Sequence, residues 1–341
     1  MVDSAQFFAA SRVVIVAGKG GVGKTTVSGA LARAAAMRGL STLIVEVEGK
    51  SGLASLFGQP PFDYDQVTLA RGGGADGAAD VTARTLTPDD ALVEYLEDHG
   101  MSRVSRRLVS SGAVDMVATA APGIKDILIL GKVKQLEQAR AADLIVLDAP
   151  AAGHAISFLR SARGLLDAVR VGPINAQARD VLELLTDPAR CQVILVTLPE
   201  ETPVNELVQT AYSLEDEVGV SLGPVVVNGL YPLIEGLDAD PVAAAAAVGA
   251  ALRTGEADAL AHAAAFRNHR MALQTDQVSR LAEMLPLPQL TLPYLFDADL
   301  GPTELDVLAR ELLAGIDGLD PPPATDGHAE LGDGANEVEA R

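Results

Sequence analysis

Over 341 residues the chain carries 46 acidic side chains against 26 basic ones, a formal net charge of −20 at neutral pH. A field of that sign repels phosphate backbones and anionic lipid headgroups, which argues against nucleic acid and membrane surfaces as partners. With 48% apolar residues the chain can bury a full core, as two domains or as one large α/β domain with insertions. The alanine-rich run Pro241–Leu252 falls well short of the roughly 20 residues needed to cross a bilayer, so no intrinsic membrane insertion is expected. The opening MVDSAQFFAASR has neither a basic nor a sustained apolar segment of signal-peptide type, and a cytoplasmic location is expected.

In chain order, an apolar strand is predicted at Val13–Ala17, followed by a glycine-rich loop and the helix TTVSGALARAAAMRG, then a second strand at Thr42–Val47. Pro88 to Arg140 reads as helical almost throughout and forms an insertion before the strand at Leu144–Leu147. Helix is expected again over Ser157–Leu185, then strands at Val193–Thr197 and Val225–Val227, then an alanine-rich helical stretch over Pro241–Leu285. Continuous apolar strands separated by helices indicate a doubly wound, mostly parallel α/β sheet covered on both faces. The expected organisation is one domain over residues 1–318, with a helical subdomain from about 88–140 and 157–185. An acidic, proline- and glycine-rich tail over 319–341 is expected to be disordered. The single cysteine, Cys191, lies in the run CQVILVTL and reads as a buried strand thiol. The five histidines are scattered, and even His262 and His269, seven apart, do not make a metal site.

The chemistry is concentrated in Gly18-Lys19-Gly20-Gly21-Val22-Gly23-Lys24-Thr25, which matches G-x-x-x-x-G-K-[ST] between a predicted strand and a predicted helix. Glycines allow the backbone N–H groups of Gly20, Gly21, Val22, Gly23, Lys24, Thr25 and Thr26 to point at phosphate oxygens at the positive end of the helix. Lys24 is then expected at the β- and γ-phosphates of ATP, and the Thr25 hydroxyl on Mg²⁺.

The second lysine, Lys19, gives K-G-G-V-G-K-T, which resembles the deviant Walker A loop of the group containing ArsA, nitrogenase iron protein, MinD and ParA. That resemblance implies that Lys19 reaches a partner subunit's nucleotide across a dimer interface. The strand end Asp148 followed by APAAGHAISFL is similar to the D-T-A-P-T-G-H-T-x-x-F-L switch of the arsenite-pump and tail-anchored-protein-targeting ATPases. It implies that Asp148 holds Mg²⁺ through water and that Gly153 donates its N–H to the γ-phosphate. Ala121-Pro122-Gly123-Ile124 resembles that family's P-G-I-D-E-A helix. Asn228 in VVVNG resembles the asparagine that reads the adenine edge, and Pro293 in Leu292-Pro293-Tyr294-Leu295 resembles the loop proline that closes over the base.

Three departures stand out. The family's D-P-A-H switch is replaced by Glu46-Val47-Glu48-Gly49-Lys50, which places Glu48 where an aspartate orients the attacking water. The paired cysteines of relatives are missing, which excludes arsenite sensing by thiols. The stretch between His154 and Val193 is shorter than the one forming the client groove of targeting factors, which speaks against client capture there. One cysteine and an acidic tail also exclude the iron protein, MinD and ParA branches. The resemblance implies a Mg²⁺-ATP-binding ATPase that works as a nucleotide-gated dimer on an unidentified client or membrane partner. The alternative is a nucleotide-holding, catalytically weak subunit of a heterodimer with an ArsA-like paralogue.

Overall fold

The computed structural model describes residues 3–47, 52–73, 77–98, 123–150 and 152–319. Val13–Gly18 (β1) is apolar and buried at every position, as a central strand covered on both faces must be. Leu144–Asp148 (β5) and Cys191–Thr197 (β6) flank it in parallel, with Val16 level with Asp148 on one side and with Ile194 on the other. Beyond β5 lie Thr42–Val47 (β2), Val81–Leu86 (β4) and the antiparallel edge strand Val67–Ala70 (β3). Beyond β6 lie Val225–Leu230 (β7) and Gln289–Pro293 (β8), giving the order β3-β4-β2-β5-β1-β6-β7-β8.

Strand alternation sorts the core into two layers. Val13, Ile15 and Ala17 pack with the helices Ile124–Gln138 (α5), Ala152–Ala168 (α6), Pro173–Thr186 (α7) and Glu201–Glu217 (α8). Val14 and Val16 pack with Ser4–Ala9 (α1), Lys24–Met37 (α2), Gly52–Leu56 (α3) and Pro302–Asp317 (α11). This is the doubly wound α/β sheet that the apolar runs predict. None of the described helices is long and apolar enough to cross a membrane.

Of the insertion expected over 88–140, the structure describes Pro88–Asp98 (α4) and α5, and residues 99–122 lie outside the described part. The carboxylate of Glu94 on α4 takes hydrogen bonds from Lys132 of α5 and the hydroxyl of Tyr64, and Arg84 of β4 lies 3.8 Å away. Arg84 also stands 4.3 Å from the centre of the Tyr64 ring. Burial and the Glu94 carboxylate both raise the Tyr64 hydroxyl above its ordinary pKa, so it stays a donor to Glu94 at neutral pH. One acid thus ties helices α4 and α5 to the sheet.

Several expectations are refined. The helix expected over Ser157–Leu185 is two, α6 and α7, because Gly172 (φ 104°) breaks it and Pro173 starts the second. The stretch Pro241–Leu285 divides into Pro241–Ala247 (α9) and Glu256–Met284 (α10), with Gly249 and Gly255 at positive φ between them. Pro293, expected in a loop, is the last residue of strand β8 and stands level with Leu230. The tail beyond Leu319 lies outside the described residues.

Candidate functional site

The order of strands reverses at β1, and the crevice at the carboxyl ends of strands beside such a reversal is where open α/β sheets bind ligands. The loop Gly18–Gly23 sits there. A side chain on Gly18 would bring its Cβ to 2.4 Å from the Val196 carbonyl, so only glycine lets β1 turn so close to β6. Gly21 (φ 86°) and Gly23 (φ 90°) hold the left-handed conformation that turns backbone N–H groups inward. Gly23 starts α2 without a side-chain cap, which leaves the first-turn N–H groups facing the loop.

The functional side chains converge on this turn. Lys24, 93% buried, donates from Nζ to the Lys19 carbonyl at 3.1 Å, folding back over the loop. Thr25 Oγ1 donates to Asp148 Oδ2 at 2.7 Å, and Ser28 Oγ stands 3.4 Å from Asp148 Oδ1. Asp148 is fully buried at the end of β5. A hydroxyl and a carboxylate in contact beneath a left-handed glycine loop are the donor set that a phosphate-bound Mg²⁺ requires, so the residues present fit Mg²⁺ and a nucleotide. Asn228 Nδ2 donates to the Val22 carbonyl at 2.9 Å, tying the end of β7 to the loop.

The structure therefore brings together Lys19, Lys24, Thr25, Asp148 and Asn228. Pro293 sits one strand beyond Asn228, and the N–H of the next residue, Tyr294, donates to the Leu230 carbonyl at 2.7 Å. Gly153 falls in the first turn of α6, and Glu48 lies outside the described residues. Cys191 is fully buried and its thiol is pushed up to about 12 by burial, as a structural strand thiol should be.

Three features escaped the sequence reading. Glu46 is buried level with Asp148 on the neighbouring strand and takes a 3.3 Å hydrogen bond from Thr85. An acid inside the apolar run TLIVEV was its only signal. Tyr231, Tyr294 and Phe296 form a cluster with ring centres 4.8–5.3 Å apart, and Arg267 stands 5.3 Å from Tyr231 and 5.0 Å from Phe296. Lys19, expected to reach outward, is paired within its own chain with Glu206 of α8, Nζ to Oε1 at 2.5 Å.

Gly23→Ala is expected to lower the unfolding free energy by about 1–2 kcal/mol, the cost of left-handed backbone for an L residue. The added Cβ would also stand 2.3 Å from Asn228 Nδ2. Urea denaturation measures it, and a loss below about 0.5 kcal/mol, ordinary for a surface change, would contradict this loop conformation.

A strand-to-helix phosphate loop with a strand-end acid bonded to its threonine defines the P-loop class of nucleotide-binding proteins. A family model described as anion-transporting ATPase matches residues 11–171, which include the glycine loop and Asp148. ATPase BagA of Mycobacterium tuberculosis is 35% identical over 228 residues, 65% of this chain and 66% of that protein. A Halobacterium salinarum protein named for an arsenical pump-driving ATPase is 26% identical over 329 residues, 91% of this chain but 45% of its own length. ATPase get3 of Aspergillus niger is 26% identical over 211 residues, 61% of this chain and 58% of that protein. The chain belongs to the ArsA-like ATPase family.

Proposed function

We propose that this chain hydrolyses Mg²⁺-ATP and acts as a nucleotide-gated dimer switch on a partner or client protein. The observation that carries the reading is the 2.7 Å contact between Thr25 and buried Asp148 under the glycine loop. Thr25 and Asp148 would hold Mg²⁺, which when bound would supply neutralisation of phosphate charge. The N–H groups of Gly20 to Thr26 cradle the phosphates, and Lys24 swings from the Lys19 carbonyl to meet them. Gly153 offers its N–H to the γ-phosphate, Asn228 meets the adenine edge and Pro293 covers the base. Glu48 orients the attacking water, and Lys19 of one subunit neutralises charge on the phosphates bound to the other. Residues 1–318 serve as one domain whose helical subdomain responds to the switches.

Pairing is supported by the Halobacterium relative, of which nine-tenths of this chain matches less than half. Such a protein has room for two domains of this kind in one polypeptide. The partner here is a second copy or an ArsA-like paralogue, in a cytoplasmic assembly. The glutamate at position 48 favours one further reading, a heterodimer in which this subunit holds nucleotide and hydrolyses it slowly.

Steady-state hydrolysis and sedimentation, on the chain alone and with whatever co-purifies, test the proposal. Lys19→Ala is expected to weaken ATP-dependent association at least about tenfold, the loss of one charge-assisted contact to phosphate. Unchanged association and turnover would assign Lys19 to an ordinary exposed role.

A further inference from the structure

Lys19 is held within its own chain by an acid of α8. Its Nζ lies 2.5 Å from Glu206 Oε1, across 187 residues of sequence, joining the tip of the phosphate loop to α8. Both side chains are about two-fifths exposed, 42% and 41%, so the pair lies open at the surface. Glu200, the N-cap of α8, pairs with Arg270 of α10 at 2.9 Å, and the main-chain carbonyl of Glu206 accepts from the Thr210 hydroxyl at 2.7 Å. The main chain of Lys19 is held separately, because its carbonyl accepts the Lys24 Nζ.

We infer that Glu206 is a positioning residue for Lys19, parking it against α8 in the separate chain until a nucleotide-loaded partner draws it away. The inference rests on the reading that Lys19 acts across the dimer interface. An exposed ion pair shifts an equilibrium by only about two- to fivefold and is screened by salt. A phosphate group, carrying more negative charge than one carboxylate, outcompetes it. The exchange needs only rotation of the Lys19 side chain away from Glu206. Glu206 thus disfavours association without nucleotide, where the lysine gains nothing by leaving, and concedes it readily when ATP is bound.

The test compares Glu206→Gln, Lys19→Ala and the double variant in the full-length chain, alone and with any co-purified ArsA-like chain. Sedimentation with Mg²⁺-ATP at low salt is expected to show association of Glu206→Gln about threefold tighter than the parent, the gain shrinking at high salt. In the Lys19→Ala background the same substitution is expected to change nothing. A gain that persists there would mean that Glu206 acts by general repulsion, and it would overturn the inference. Lys19→Ala without effect on association would refute the action of Lys19 across the interface. If Lys19→Ala weakens association while Glu206→Gln leaves it unchanged, the positioning role alone fails. A second readout needs no partner: labelling of Lys19 by an amine-reactive reagent, followed by mass spectrometry, is expected to rise in nucleotide-free Glu206→Gln. Equal labelling would show that the contact does not hold the lysine.

Discussion

Lys24→Ala is expected to lower the affinity for Mg²⁺-ATP by at least about a hundredfold. Lys24 is buried at the loop, at the start of a helix whose first turn has no side-chain cap, and in the proposed reading it meets the β- and γ-phosphates. Two charge-assisted hydrogen bonds of about 1.5–3 kcal/mol each are at stake, and about 2.7 kcal/mol already corresponds to the hundredfold loss. The remaining field works against binding, since the chain as a whole carries −20. Calorimetry on the folded variant decides it. Binding within about threefold of the parent, well inside the 1.4 kcal/mol of a tenfold change, would sink the site assignment.

Glu48→Gln is expected to leave Mg²⁺-ATP affinity nearly unchanged and to lower turnover at least about tenfold. In the proposed role the carboxylate orients water only on the way to the transition state, so its removal would raise the barrier by about 1.4 kcal/mol or more and change binding little. Position 48 directly follows β2, whose Glu46 is level with Asp148 on the neighbouring strand. Glu48→Asp should equal or exceed the parent, because the shorter side chain restores the family's reach. Both variants are assayed alone and in the co-purified complex. A complex whose turnover is indifferent to position 48 would show that hydrolysis takes place on the partner subunit.

Much of the site was legible because its chemistry is local in sequence. The loop from Gly18 to Thr25 is one contiguous signature, and Asp148 announces itself as an acid closing the apolar run LIVLD. The inner strands were equally readable, since burial on both faces demands unbroken Val, Ile and Leu. The outer strands were not. Val81–Leu86 interleaves Thr82, Arg84 and Thr85 with its apolar residues, and Gln289–Pro293 carries Thr291 and ends in proline, so neither resembles a buried parallel strand. What sequence hides most completely is the long-range pairing of common residues. Nothing local marks Glu206 as the partner of Lys19, or joins Tyr231 to Tyr294, Phe296 and Arg267.

The depth of Cys191 reaches beyond packing. Burial pushes its thiol well above the ordinary value, which disfavours the thiolate, and it is the thiolate that oxidants and disulfides attack. It is also the only cysteine in the chain. A redox signal acting on this sequence through a thiol would have to reach Cys191 inside the sheet, so oxidants would meet it only when β6 is opened.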